Sequence, residues 1–407
     1  MLLHSVLEQG TISATLSVNY NNYNESIGIH MKLLQNRYSG ASWQTPLEPN
    51  TKAQLIFAFG DRDIASSPAV QSQIHASYPN ATLLGCTTAG EILGKEISDH
   101  SLAITAIELE KSRLQVVSSD VLQQPLEEAC RDMVSQLDIS ALKYVLVLAD
   151  GQLINGTELV EHLQSLLPNG TILTGGLAAD DTRFEETKLF HNQDVSSGKI
   201  LLCALSGDHL QLSHGSIGGW DPFGPKRRVT KSDNNVLYSL DDKPALSLYK
   251  TYLGDHAKDL PASALLFPLL VTRQDKNDEI IRTILNIDED NEAMIFAGDI
   301  PEGSTAQFMR ANFERLIDGA EEAAGRTLKQ LPNEPEAGLV LMVSCVGRRL
   351  VLGQRTEEEV EAVVDMLGQQ HAYTGFYSYG EISPVANSEN CDLHNQTMTI
   401  TFLSEQV

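Results

Sequence analysis

The sequence predicts an α/β protein of repeated strand–helix–strand units, passing into a mixed α+β arrangement in its second half. Two observations carry that expectation. The chain has 407 residues, more than one compact core usually holds, so more than one domain is expected. It also repeats itself: a short apolar run, a helical stretch, a second apolar run and a glycine-rich acidic turn recur three times.

In the first copy Leu55–Gly60 reads as a buried strand and Ala69–His75 as a helix. The strand Ala81–Leu84 then runs into Gly85-Cys86-Thr87-Thr88-Ala89-Gly90-Glu91-Ile92. In the second, the strand Tyr144–Ala149 precedes a helix over Gly156–Leu167 capped by Asn155. Thr171–Thr174 then leads into Gly175-Gly176-Leu177-Ala178-Ala179-Asp180-Asp181, where Asp181 is expected to replace the glutamate. In the third, Leu339–Ser344 precedes an amphipathic helix over Glu357–Leu367. The segment Gly375-Phe376-Tyr377-Ser378-Tyr379-Gly380-Glu381-Ile382 closes it and agrees with the first copy at both glycines, the glutamate and the isoleucine. A further strand follows each turn: Ser101–Leu109, Lys199–Ser206 and Thr397–Leu403. Strand–helix–strand crossovers make parallel neighbours, and ligands favour the loops at the carboxyl ends of such strands. The acidic turns are those loops. A tight structural turn whose carboxylate bonds to backbone is the alternative reading.

Between Ser213 and Gly254 the texture changes, and His214–Pro225 is dense in Gly and Pro, as in a linker or structured loop. The domain boundary is placed here, giving residues 1–213 and 214–407. Beyond it the sequence predicts a strand over Asn235–Ser239 and a helix over Pro244–Leu253 with proline at its first position. Leu265–Val271, Ile280–Asp288 and Ala293–Gly298 follow as an antiparallel meander, and Arg310–Leu328 as a long helix.

Twenty-nine basic residues against fifty-four acidic ones leave a net charge of −25. That charge repels phosphate backbones and anionic lipid, so neither nucleic acid nor a membrane surface is an expected partner. The opening residues Met1–Glu8 lack a basic region followed by a long apolar run, so no secretory leader is expected. Five scattered cysteines fit a reducing cytoplasm better than a disulfide framework.

The turn Gly85–Ile92 resembles the signature of the FIST amino-terminal domain. Pro244-Ala245-Leu246, Gly298–Gly303, Cys345–Arg349, Gly375–Ile382 and Leu393–Thr397 resemble the FIST carboxy-terminal domain. The similarity runs roughly from Leu33 to Phe402. The name stands for F-box and intracellular signal transduction proteins, and the resemblance implies a sensory module for a small ligand. A bacterial subset of stand-alone members, the NosP proteins, is similar in architecture. It implies haem binding, nitric oxide sensing and action on a partner histidine kinase.

A haem sensor needs an axial ligand, usually His, in a largely apolar pocket. His394 is the first candidate, beside Asn395 in a matched motif, followed by His191 and His214. Each is also readable as a surface or hydrogen-bonded histidine. Cys86 lies inside the first glycine turn as a possible nucleophile or redox sensor, or as a small packed residue. Arg348-Arg349 can bind a ligand carboxylate bidentately or answer Glu357-Glu358-Glu359. With Thr88, Glu91, Tyr377, Tyr379, Glu381 and Asn395 these form the candidate ligand-binding set. No nucleophile–base–orienter set or complete metal site can be assembled, so binding is expected rather than catalysis. Haem with nitric oxide is the first ligand class expected and a small amino-acid-like metabolite the second; a pure interaction protein is the third reading, with an enzyme using Cys86 as a further, less expected alternative.

Overall fold

The computed structural model describes residues 31–181, 183–274, 278–331, 337–385 and 390–406. The amino-terminal segment on which the leader expectation rests lies outside them. The chain is mixed α/β, and its three repeat units build three sheets of one common plan.

In each unit the two predicted strands pair in parallel across a helix. Leu55–Gly60 pairs with Thr82–Thr87 across Pro68–Ser77, and Leu142–Ala149 with Ile172–Leu177 across Gly156–Leu166. Leu339–Cys345 pairs with Ala372–Ser378 across Val346–Leu352 and Thr356–Leu367. The last strand of each unit, Ser101–Leu109, Lys199–Ser206 or Met398–Glu405, lies antiparallel on the other side of the central strand. A first strand closes the row beyond it: Met31–Ser39, Arg113–Asp120 or Leu210–Ile217. Position 213/214 thus falls inside the strand Leu210–Ile217 of the third sheet.

Each sheet is completed by a hairpin from a different unit. The hairpin Glu91–Leu93 and Glu96–Ser98 of the first unit pairs with Ala372–Ser378 of the third. Leu189–His191 and Asp194–Ser196 of the second pair with Thr82–Thr87 of the first. Gly380–Pro384 and Cys391–His394 of the third pair with Ile172–Leu177 of the second. The exchange is cyclic, so the three sheets close around a common axis.

Alternation along the central strands explains why they read as unbroken apolar runs: both faces are buried. Leu55, Phe57, Phe59, Tyr144, Leu146, Leu148, Leu339, Leu341 and Val343 share one core between the sheets. Ile56 and Ala58 pack outward under helix residues Val70 and Ile74, and Val145 and Val147 under Leu159 and Leu163. Asn155 caps its helix as expected, its side chain accepting from the N–H groups of Thr157 and Glu158.

The expected linker or structured loop over His214–Pro225 is instead the end of one strand, Leu210–Ile217, joined through Gly218–Trp220 to the start of another. Asp221–Asp233 runs through Pro222 and Pro225, pairing with Thr305–Arg310. Its register shifts between Phe223 and Arg227, and Pro225 sits in that irregularity, where a missing N–H breaks no ladder bond. This strand belongs to a separate sheet over residues 221–310, inserted between the first strand of the third unit and the helix Phe313–Lys329. The expected strand Ile280–Asp288 is broken at Thr283 into Asp278–Arg282 and Ile284–Asp288. Pro244 precedes the helix Ala245–Leu253, and Arg310 ends a strand before Asn312 caps the long helix.

At Gly85, Gly175 and Gly375 an added Cβ would fall on the carbonyl oxygen of Ala58, Val147 or Met342 in the adjacent central strand. Backbone cannot yield there as a side-chain tip can. Gly85→Ala is expected to destabilise the protein by about 3 kcal/mol or more, measured by urea unfolding.

Candidate functional site

The glycine turns end the parallel strands on one side of the molecule and interlock. Ala179 N–H donates to the Thr87 carbonyl at 2.9 Å and Asp181 N–H to Thr88 at 3.2 Å, joining the second turn to the first. Tyr379 N–H donates to Leu177 at 3.3 Å, joining the third turn to the second. Ala89 N–H donates to Tyr377, and Tyr377 N–H to Gly90, both at 2.9 Å, which closes the ring. The three turns therefore build one junction.

Two of the three acids take equivalent places in it. Glu91 is buried, with Thr88 Oγ1 donating to Oε1 at 2.7 Å and Ser101 Oγ to Oε2 at 2.6 Å. Glu381 is buried too, with Ser378 Oγ donating at 2.7 Å and the Thr397 N–H and Oγ1 at 3.1 and 2.9 Å. Burial pushes each carboxyl up to about 8 against the opposing pull of those hydroxyls. Asp181 does not take the matching place. It is exposed at φ 64°, and the ladder position of the glutamates is held by Leu189, opposite Cys86. The eleven residues between Leu177 and Leu189 displace that hairpin from the sequence alignment.

Asp180 is the buried acid of the second turn. It accepts the N–H groups of Glu185 and Glu186 at 3.0 and 2.9 Å and the Tyr379 hydroxyl. Phe184 stacks on Tyr379 with ring centres 4.5 Å apart. Arg62 faces the same acids, 3.8 Å from Asp180, 3.6 Å from Glu185 and 3.9 Å from Glu186, all longer than a hydrogen bond. Arg183 lies 3.7 Å from Asp61. Sequence reading missed Asp61 and Arg62. Their signal was positional, since Asp61 and Asp150 both follow the central strand of their unit.

The two arginines of the third unit have different employment. Arg348 is fully buried and its guanidinium is satisfied by the protein. Nε and Nη2 donate to Glu359 at 3.0 and 2.8 Å, Nη2 to the Leu316 carbonyl at 2.7 Å, and Nη1 to the Gly218 carbonyl. Glu359 also accepts the Tyr377 hydroxyl at 2.8 Å and Ser344 at 3.1 Å. Arg349 reaches the junction instead. It donates to the Ala89 carbonyl at 2.5 Å, forks onto Asp99 at 2.6 Å twice, and lies 5.4 Å from the Tyr377 ring centre.

The family follows from the chain itself. A family model of the FIST N domain matches residues 54–243, and one of the FIST C domain matches residues 245–384. The chain belongs to the FIST family. FIST domains are modules of signal-transduction sensors. An uncharacterized protein of Mycobacterium tuberculosis is 26% identical over 320 residues, 77% of this chain and 82% of that protein. One of Methanocaldococcus jannaschii is 25% identical over 340 residues, 77% of this chain and 63% of that one. Among solved structures, a cyanuric acid hydrolase from A. caulinodans covers 93% of this chain and 99% of its own at 8% identity and a TM-score of 0.35. At that score the likeness bears on neither fold nor activity.

The remaining predicted residues of this FIST protein are buried or half-buried and engaged within the protein. Cys86 is fully buried, and burial pushes its thiol well above its ordinary value. His191 is half-buried on a hairpin, its Nδ1 3.1 Å from Ser118 Oγ, and His214 lies on the strand Leu210–Ile217. His394 is buried with Nε2 3.0 Å from the Ser383 carbonyl, among Asp392, Arg273 and Arg282. A hydrogen-bonded histidine inside a charge cluster does not fit the apolar pocket that haem ligation requires. Asn395, also buried, accepts the Thr283 N–H at 3.4 Å. No group of three or more His, Cys, Asp or Glu placed to hold a metal occurs among the described residues. Nor, among them, is any helix long and apolar enough to cross a membrane.

The two glutamates set a pH dependence. A carboxyl raised from 4.5 to about 8 in the folded state favours folding while protonated, so its contribution is full below pH 4.5 and lost as pH rises to 8. His371, lowered by burial to about 4, acts oppositely and loses its contribution as pH falls from 6.5 to 4. Glu91→Gln and Glu381→Gln are each expected to flatten the fall in Tm between pH 5 and 8 and to raise Tm at pH 8. Thermal melts across that range check it.

Proposed function

We propose that this FIST protein is a sensor of a small amino-acid-like metabolite, bound where the three turns meet, with occupancy read by a partner signalling protein such as a histidine kinase. One observation carries the reading: the junction gathers guanidinium groups and carboxylates from separate units at one end of the molecule. Arg62 and Asp61 come from the first unit, Asp180 and Arg183 from the second, and Arg349 from the third. A ligand bearing both a carboxylate and an ammonium group finds opposite partners there. Arg62 is the leading carboxylate partner, because its ion pairs are all beyond hydrogen-bond length and a bidentate carboxylate would replace them with shorter bonds. Tyr379, held by Asp180, is buried under Phe184, and the partly exposed Phe184 ring supplies the aromatic surface beside that acid.

Thermal-shift titration with the common amino acids and their decarboxylated or deaminated analogues tests the reading. At least one amino acid is expected to raise Tm saturably, while analogues lacking either charge fall short. Arg62→Ala is expected to weaken binding roughly tenfold to a hundredfold, as for loss of a charge-assisted hydrogen bond. Arg349→Ala, which frees Asp99, is expected to weaken it as well. No response to any amino acid, or unchanged affinity in both variants, overturns the proposal. A defined Soret band on adding haem, shifted by nitric oxide and lost in His394→Ala, would replace it with the haem reading.

A further inference from the structure

One guanidinium at the junction faces more carboxylate than it can answer. Arg62 opens the short helix Arg62–Ala65, just after the central strand of the first unit. Three acids of the second unit lie 3.6 to 3.9 Å from it, namely Asp180, Glu185 and Glu186. The buried one is already occupied. Asp180 Oδ2 accepts the N–H groups of Glu185 and Glu186, and Oδ1 accepts the Tyr379 hydroxyl. The other two keep their carboxylates in the open, with side chains 64% and 48% exposed. Glu186 has Lys188 at 3.4 Å and the Ser197 hydroxyl at 3.3 Å as well. For Glu185, Arg62 is the one cation within ion-pair distance among the described residues.

The same imbalance continues around the ring. Arg349 is forked onto Asp99, and the exposed Asp181 bears on that guanidinium as a second negative charge. Arg183 stands 3.7 Å from Asp61. Asp61, Asp99, Asp180, Asp181, Glu185 and Glu186 are thus six carboxylates against four cations, Arg62, Arg183, Lys188 and Arg349. With His100 beside Asp61 counted as neutral, two negative charges are in excess. A field of that sign at the mouth of a site attracts cations and repels anions.

We propose that the junction selects amino acids with a cationic side chain, the class of lysine, ornithine and arginine. The inference rests on the amino-acid reading of the junction and narrows it. A ligand carboxylate that forks onto Arg62 draws the guanidinium away from Glu185 and Glu186. A neutral amino acid then brings one ammonium group to two released carboxylates. A cationic side chain brings a second, and each glutamate gains a partner. Glu186 retains Lys188, so Glu185 is the acid that the side-chain cation answers. An acidic side chain adds to the negative excess and is rejected. Both glutamates are solvated, so the selection is a modest one.

Calorimetric titration of the full chain at fixed ionic strength tests the proposal, using lysine, ornithine, arginine, leucine, glutamate and cadaverine. The cationic amino acids are expected to bind roughly tenfold tighter than leucine, as for one added charge-assisted contact, and glutamate more weakly than leucine. Cadaverine, which is lysine without its carboxylate, is expected to bind more weakly than lysine. Glu185→Gln is expected to remove most of the preference for lysine over leucine while leucine still binds. Asp255→Asn removes an exposed acid of the inserted region and is expected to leave the preference intact, which separates a local contact from the overall negative charge. Leucine binding as tightly as lysine, a full preference in Glu185→Gln, or its equal loss in Asp255→Asn overturns the proposal and leaves the amino-acid reading standing. Cadaverine matching lysine, or no binding by any amino acid, overturns both.

Discussion

A strand at the edge of a sheet exposes backbone groups that must be paired or covered. In this protein, one flank of each sheet is supplied by another unit: the first hairpin joins the third sheet, the second joins the first, and the third joins the second. To reach its host, each hairpin has to leave its own sheet at the carboxyl end of the parallel pair. The glycine turns are where it leaves. Their convergence into one hydrogen-bonded ring is therefore a consequence of edge pairing, and the junction exists because the sheets are exchanged. The same closure encloses the apolar faces of the three central strands in a common core.

The third unit departs from its siblings by holding the insertion. Arg348 is the fastening: its guanidinium joins Glu359 on one helix, Leu316 on another and Gly218 just before the inserted sheet. A buried guanidinium satisfied in this way is costly to disturb, and its place is mechanical. Its neighbour Arg349, one position on, turns to the junction and binds Asp99 of the first unit. Adjacent residues on a short helix thus divide the work of holding the insertion and of lining the ring.

The repeat was legible because its elements are local. Apolar runs of six to eight residues, a helix cap at Asn155 and paired turn glycines all lie within reach of nearest-neighbour physics. Where the reading failed, something distant intervened. Pro222 and Pro225 suggested a linker, yet a partner strand some eighty residues on accommodates them at an irregularity. Asp181 aligned with the glutamates by count, but the longer second turn hands that ladder position to Leu189. Among the candidate site residues, Thr88, Glu91, Tyr377, Tyr379 and Glu381 do meet at or just beneath the junction, while His394 and Asn395 neighbour Arg273, Arg282 and Thr283 of the inserted sheet.

By itself the sequence determined the strand–helix–strand unit, its threefold recurrence, the acidic glycine turn and the family, because periodicity, turn chemistry and motif are written along the chain. Only the tertiary structure decided that the turns form one ring and that Arg62 and Asp180 face each other across units. Those facts depend on which sheet each hairpin joins. That choice is made by backbone edges, which look alike in every strand and leave no mark in the order of side chains.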